Sequence, residues 1–307
     1  MRDAFAQEMT RLATKRTDVT ILSGDIGNRM FDGFKQIASE RFFNCGIAEA
    51  NMMSVAAGMA LSGLRPVIYT IAPFTTTRCF EQVRVGVAYH EVPVVIVGTG
   101  SGLSYSELGP THHSLEDMAI MRTLPGMNVV APADSAELVA QIREALDTPN
   151  PTYIRIGKKE EQQINGKTAQ LGIGKANLVR DGKDLLVLGV GPILAEALKA
   201  AESLSSQGLS VAVGNLGSVK PLDDSFLEVM KERFQQWISL EEHSVIGGVG
   251  SALLEWLAER NAQTIKLKRL GVPDAFLHEL GNQSYTRRKL DLEAAGLNQS
   301  FRDAVGN

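Results

Sequence analysis

The chain has 307 residues, 44% hydrophobic content and a formal net charge of −4, with acids and bases interspersed. That length suits two domains with a core that needs no disulfide, and without a basic block a nucleic-acid surface is excluded. No apolar run reaches the roughly 20 residues of a membrane span, CxxC and HExxH spacings are absent, and Cys45 and Cys79 sit in apolar surroundings as expected of small buried residues in a reducing cytoplasm.

The chain begins on an amphipathic helix with Phe5, Met9 and Leu12 on one face, which does not read as a signal peptide. Strands are predicted at Val19–Leu22, Arg41–Asn44, Pro66–Ile71, Val92–Val97, Asn128–Ala131 and Thr152–Ile156. Several are continuous apolar runs, as parallel strands covered on both faces require. Helices are predicted between them, at Ala48–Leu61, Cys79–Tyr89 and Ser135–Leu146. The alternation argues for a doubly wound parallel sheet. From Gly157 the sequence turns polar, and Gly157–Lys183 reads as a linker or a short hairpin. A second α/β pattern follows, with strands at Leu185–Val190, Ser210–Gly214, Gln236–Leu240 and Thr264–Arg269 and helices near Leu194–Leu204 and Ser251–Arg260. The expected division is a first domain over 1–157, a linker over 158–183 and a second domain over 184–307.

Glu49 stands out. It follows Phe42-Phe43-Asn44-Cys45-Gly46-Ile47-Ala48 and opens an apolar helix with no basic residue near it in sequence. A carboxyl buried there without a cation is costly as an anion, so it would hold its proton and act as a donor. The plainer reading is a first-turn acid favoured by the helix dipole. A second feature is Gly109-Pro110-Thr111-His112-His113, a loop behind the buried strand Val92–Val97. An imidazole at His112 is placed to bond a substrate and move a proton, with His113 in that role if the loop is shifted by one. Asp25 and Ile26 follow the first strand, where doubly wound sheets bind ligands, although an Asp in Ser23-Gly24-Asp25-Ile26-Gly27-Asn28 also suits a turn. Arg78 and Glu81 are spaced to pair at i,i+3. Arg155 and Lys158 offer cationic contacts or are ordinary solvated side chains. The Gly-rich stretches Gly98–Gly102 and Gly247–Ser251 read as tight turns, and no G-x-S-x-G elbow supports a serine hydrolase.

With Glu49 and the Gly-Pro-Thr-His motif both present, the chain resembles the pyrimidine-binding and C-terminal halves of transketolase, and the related 1-deoxyxylulose-5-phosphate synthase. The resemblance implies an α/β fold of two doubly wound domains, a thiamine-diphosphate pyrimidine-binding domain and a transketolase C-terminal-like domain. It implies that Glu49 protonates the aminopyrimidine and that Phe74, or less directly Phe80, stacks on the ring. Asp25, Ile26 and Arg78 would join them at the cofactor. His112 or His113 would face the substrate, with Arg155 and Lys158 as its cationic contacts. Glu241, Glu242 and His243 match a domain that stabilises the dimer and are expected to carry no chemistry.

Departures from the family pattern carry expectations too. Leu108 stands where transketolases have a hydroxyl-reading Asp, and Gly100 and Ser101 stand where the families have a phosphate-binding His or Arg. A modified acceptor preference is therefore expected. The Gly-Asp-Gly and Asn that bind Mg²⁺ and the diphosphate lie, in the family, in an N-terminal domain that this sequence does not contain. The resemblance thus implies a split enzyme: metal ligands from a separate N-terminal subunit, an active site between chains, an α2β2 heterotetramer and no activity in isolation. The function expected is transfer of a two-carbon ketol unit from a ketose or ketose phosphate to an aldehyde, in the cytoplasm, with no nucleic acid or membrane partner. Alternatives are a pyruvate-using subunit of the deoxyxylulose-phosphate-synthase or 2-oxo acid decarboxylase β type, and a non-catalytic partner subunit.

Overall fold

The computed structural model describes residues 1–158, 161–279 and 281–306, with the backbone alone at Asn28; Lys159 and Glu160 of the expected linker lie outside the described residues. The first half is built from strands β1 (Val19–Ser23), β2 (Phe42–Asn44), β3 (Arg65–Ile71), β4 (Val95–Thr99), β5 (Asn128–Val130) and β6 (Thr152–Ile156). Its helices are α1 (Arg2–Ala13), α2 (Asp32–Ala38), α3 (Glu49–Leu61), α4 (Ala72–Thr75), α5 (Asp117–Arg122) and α6 (Ser135–Asp147). The second half adds β7 (Asn177–Arg180), β8 (Leu185–Gly189), β9 (Val211–Asn215), β10 (Ser218–Lys220), β11 (Gln236–Ser244) and β12 (Lys266–Val272), with α7 (Leu194–Ser205), α8 (Asp224–Arg233), α9 (Val249–Glu259), α10 (Gln283–Lys289) and α11 (Ala294–Gly306).

One sheet has the order β10-β5-β6-β4-β3-β1-β2, the other β12-β11-β8-β9-β7. All ladders are parallel except β10 on β5 and β7 on β9. Side chains alternate faces along each strand. Ile21, Val67 and Val95 meet Phe5 and Met9 of α1, whose apolar face is buried as its spacing predicts. Leu22, Ile68 and Ile96 meet Met52, Met53 and Ala56 of α3. That second cluster runs on into Leu186, Leu188 and Trp237, so apolar packing is continuous across the two halves. Several strand residues are fully buried, and burying each such side chain is worth about 1.5–3 kcal/mol.

Four expectations need correcting. The stretch read as linker contains β7, an edge strand on the second sheet. Ser218–Lys220, expected to stay with the second unit, crosses to the first sheet and pairs with β5. The strand predicted from Val92 starts at Val95. Pro93, which has no N–H to donate, stands just before it. The helix predicted over Cys79–Tyr89 is a 3₁₀ turn at Thr77–Cys79 and then a wider π-helical coil at Gln82–Ala88, closed by a bond from Tyr89 N to Arg84 O of 2.9 Å. Among the described residues no helix is long and apolar enough to cross a membrane.

Candidate active site

The parallel ladders bring the ends of β6, β4, β3, β1 and β2 to one edge of the first sheet. Each expected site segment follows one of these ends: Lys158 after β6, the His112 loop after β4, Phe74 and Arg78 after β3, Asp25 after β1 and Glu49 after β2. This is the crevice in which open α/β sheets hold ligands.

Glu49 lies in the first turn of α3 and is 3% exposed. It does not stand without a cation. Arg78 Nη1 donates to Glu49 Oε1 over 3.0 Å, while Oε2 carries no hydrogen bond among the described residues. The expected Arg78–Glu81 pair does not form, because Glu81 takes Arg84 at 2.7 Å instead. The Arg78 guanidinium also lies 3.8 Å from the centroid of the Phe74 ring. Phe74 in turn meets His112 edge-on at 5.3 Å between centroids. Arg78 thus touches the carboxylate and the aromatic face that the sequence singled out separately. Cys79, behind them, is buried, and burial and then the nearby Glu49 charge push its thiol up to about 12. Cys45 is only half-buried, and burial raises its thiol as well.

His112 and His113 have separated roles. His113 is buried and its Nε2–H donates to the Ser106 carbonyl over 3.1 Å, so it braces the loop. His112 is half-buried, with Nδ1 2.9 Å from Thr111 Oγ1. Its pKa is lowered, first by burial and then by the charges of Arg78 and His113, which keeps the ring neutral at neutral pH. Beyond His112 lies Tyr105, at 6.0 Å between centroids, and the Lys158 ammonium sits 4.2 Å from the Tyr105 ring centroid while pairing with Glu107 at 2.8 Å.

Asp25, in a left-handed conformation at φ 50°, accepts from Asn44 Nδ2 over 2.9 Å and ties the ends of β1 and β2 together. Ile26 packs against the apolar cluster under α1 and α2. Arg155 is a different matter from its expected place at the substrate. It is 2% exposed, its Nε donating to Asp117 Oδ2 at 2.8 Å and its Nη2 to the Ser114 carbonyl at 2.6 Å and the Glu242 carbonyl at 2.8 Å, and it also lines a hollow shared with Lys158. It is a buried tie between the halves, since an Arg sealed in a strand interior must satisfy its fork locally.

Glu241 and Glu242 are both tied into the fold by hydrogen bonds. Glu241 fills the N-terminus of α9, accepting from Val249 N at 2.8 Å and Gly250 N at 2.9 Å, so the glycine turn that resembles an anion site is already occupied by a carboxylate. Glu242 accepts from Leu103 N at 2.6 Å, Gln283 Nε2 at 2.7 Å and Arg287 Nε at 2.6 Å, pinning the loop after β4 onto the second half. Gly102 is needed there: at φ +59°, its absent Cβ would stand 2.5 Å from the Glu242 carbonyl oxygen. Sequence reasoning missed Tyr105 altogether. The only signal for it was the pair of loop glycines, Gly100 and Gly102, just before an aromatic.

Comparison with known proteins agrees with this fold. The family described as transketolase, pyrimidine binding domain, matches residues 1–162, and transketolase, C-terminal domain, matches residues 174–288. A 6-deoxy-6-sulfo-D-fructose transketolase subunit from Clostridium sp. is 36% identical over 295 residues, covering 96% of this chain and 91% of that protein. A 1-deoxy-D-xylulose-5-phosphate synthase from Halothermothrix orenii is 34% identical over 276 residues, but this chain spans only 43% of its length. Among solved structures, a split-gene transketolase described as an inactive beta4 tetramer superposes with a TM-score of 0.89 at 32% identity, covering 99% of this chain and 97% of that one.

Proposed function

This chain belongs to the transketolase family, and from that membership we propose that it completes its active site with a separate N-terminal subunit and transfers a two-carbon ketol unit from a ketose or ketose phosphate to an aldehyde. The observation that carries this reading is the buried Glu49 carboxylate at the carboxyl edge of the sheet, grouped with Phe74 and His112 around Arg78.

The residues fit the pyrimidine end of thiamine diphosphate: a sealed carboxyl with one oxygen open, next to an aromatic face. When bound, thiamine diphosphate supplies the nucleophilic carbon that breaks and re-forms the carbon–carbon bond. Glu49 holds and moves the proton at a ring nitrogen. Phe74 stacks on the ring, and Asp25 and Ile26 line the cofactor cleft. Arg78 lies across both Glu49 Oε1 and the Phe74 ring, so a single movement of its guanidinium frees the two together. His112, neutral at working pH, accepts and returns a proton at a substrate hydroxyl. Arg155 keeps its Nε and Nη2 within the fold and lines the hollow that also holds Lys158, so its part is at most that of a cationic wall to that hollow.

The Mg²⁺ and the diphosphate are assigned to the partner subunit, two copies of each chain make the assembly, and the compartment is the cytoplasm. The test is to mix this chain with its separately encoded partner, thiamine diphosphate and Mg²⁺, and follow ketol transfer. Activity in the mixture that falls by orders of magnitude with Glu49→Gln supports the reading; an unchanged rate with Glu49→Gln moves the chain to a non-catalytic role. Similarity to the deoxyxylulose-phosphate synthase supports a second reading, in which pyruvate is the donor. Turnover of pyruvate but of no ketose would establish it.

A further inference from the structure

Gly100, at φ +83°, has no room for a side chain: a Cβ there would lie 2.1 Å from Cε2 of Tyr105. The Tyr105 ring therefore occupies the volume into which any other residue at position 100 would grow. Two hollows lie near the ring, which lines neither of them. One, of about 420 Å³, is lined by Phe74, Arg78 and Thr111, beside His112. The other, of about 280 Å³, is lined by Ser101, Ser104, Glu107 and Lys158. Tyr105 meets His112, the neighbour of Thr111, at 6.0 Å and carries the ammonium of Lys158, which lines the second hollow, at 4.2 Å, so it stands between the candidate proton carrier and that cation.

Its backbone is held firmly. Leu103 N donates to Glu242 Oε1 at 2.6 Å, Ser106 Oγ to the Gly281 carbonyl at 2.7 Å, and Ser104 N to the Ser101 carbonyl at 3.1 Å. A ring fixed on both sides, with a cation on its face, acts as a wall and not as a mobile side chain.

We propose that Tyr105 is a specificity-determining residue: it closes the distal end of the cleft beyond His112 and limits the length of the aldehyde acceptor that fits. The cation that a longer, phosphorylated acceptor would reach, Lys158, lies behind this wall and is paired with Glu107. Gly100 is what permits the wall, since any side chain there would displace the ring. The proposal rests on the ketol-transfer reading, with His112 at the substrate.

The test uses the reconstituted complex with its partner, thiamine diphosphate and Mg²⁺, and compares kcat/KM for glycolaldehyde and for D-erythrose 4-phosphate with one fixed donor. Tyr105→Ala is expected to raise the ratio for the longer over the shorter acceptor by roughly ten-fold, Tyr105→Trp to lower it, and Tyr105→Phe to leave it near wild type. Calorimetric titration of D-erythrose 4-phosphate gives a reading without turnover, with binding about ten-fold tighter to Tyr105→Ala. If Tyr105→Ala does not fold, Tyr105→Leu carries the same expectation. A ratio that does not move with ring size in variants that still turn over, or equal binding by the Ala or Leu variant and wild type, overturns the wall. A wild-type complex that passes no ketol unit to either acceptor overturns the ketol-transfer reading itself, and the wall with it.

Discussion

Arg78 and Glu49, 29 residues apart, meet across 3.0 Å at the mouth of the first sheet, where a half-exposed guanidinium covers an almost fully buried carboxylate. The pair joins a helix start to the loop after β3 and so couples the two elements that shape the candidate cofactor pocket.

Removing the cation tests the pair. Loss of a partner from a buried ion pair costs about 3–5 kcal/mol, but solvent at the exposed Arg78 side reduces this, and Arg78→Ala is expected to lower stability by only about 1 kcal/mol. The Glu49→Gln/Arg78→Ala double variant should then cost less than the sum of the singles. Urea unfolding of the four proteins measures the coupling; simple additivity would show that the contact has no energetic weight.

His112 should report Arg78 directly. Because the Arg78 charge is one of the causes holding its pKa below 6.5, Arg78→Gln is expected to move the His112 midpoint upward, as read from its ring-proton NMR shift. The sign for stability follows. A histidine whose folded pKa is depressed favours the fold above about 6.5, and that contribution is lost as pH falls and the unfolded chain takes up the proton first.

Glu137 gives the opposite slope. It is buried under Ala133 N, Asn215 and Asn165, and burial first of all raises it from 4.5 to about 7. Its stabilising contribution is complete below 4.5 and declines as pH rises to about 7, because the unfolded chain ionises first. Glu137→Gln should flatten this part of the stability profile measured by denaturant midpoints between those two pH values. A profile of unchanged slope would count against the assignment.

The seam between the halves should be the most sensitive place in the chain outside the core. Glu242 and Arg287 form a nearly buried pair that also holds Leu103 N, and Glu242→Ala is expected to cost about 3–5 kcal/mol in thermal or urea unfolding. A loss under 1 kcal/mol would mean that the loop after β4 is not anchored through this carboxylate.

The alternation of strands and helices was legible because parallel strands buried on both faces must be written as apolar runs, and β1, β3, β6 and β8 stand within a residue or so of the predicted positions. Glu49 and His112 stood out as candidates because each interrupts a pattern: a carboxylate in an apolar helix, and a histidine in a Gly-Pro loop behind a strand. What sequence could not show was pairing at a distance. Arg78 had Glu81 as its obvious neighbour, and only the fold turns it toward Glu49. Arg155 looked like a free cation because Asp117 and Glu242 are distant in sequence. The crossing of Ser218–Lys220 to the first sheet was equally hidden, since three residues paired antiparallel at an edge leave no periodic signal.

The most direct test of the central account is calorimetry of thiamine diphosphate and Mg²⁺ binding to this chain alone and to its mixture with the N-terminal partner subunit. The account predicts tight binding in the mixture alone, weakened when Glu49→Gln replaces the wild-type chain. Tight binding by the chain by itself would contradict it, because the diphosphate and metal site would then be encoded here.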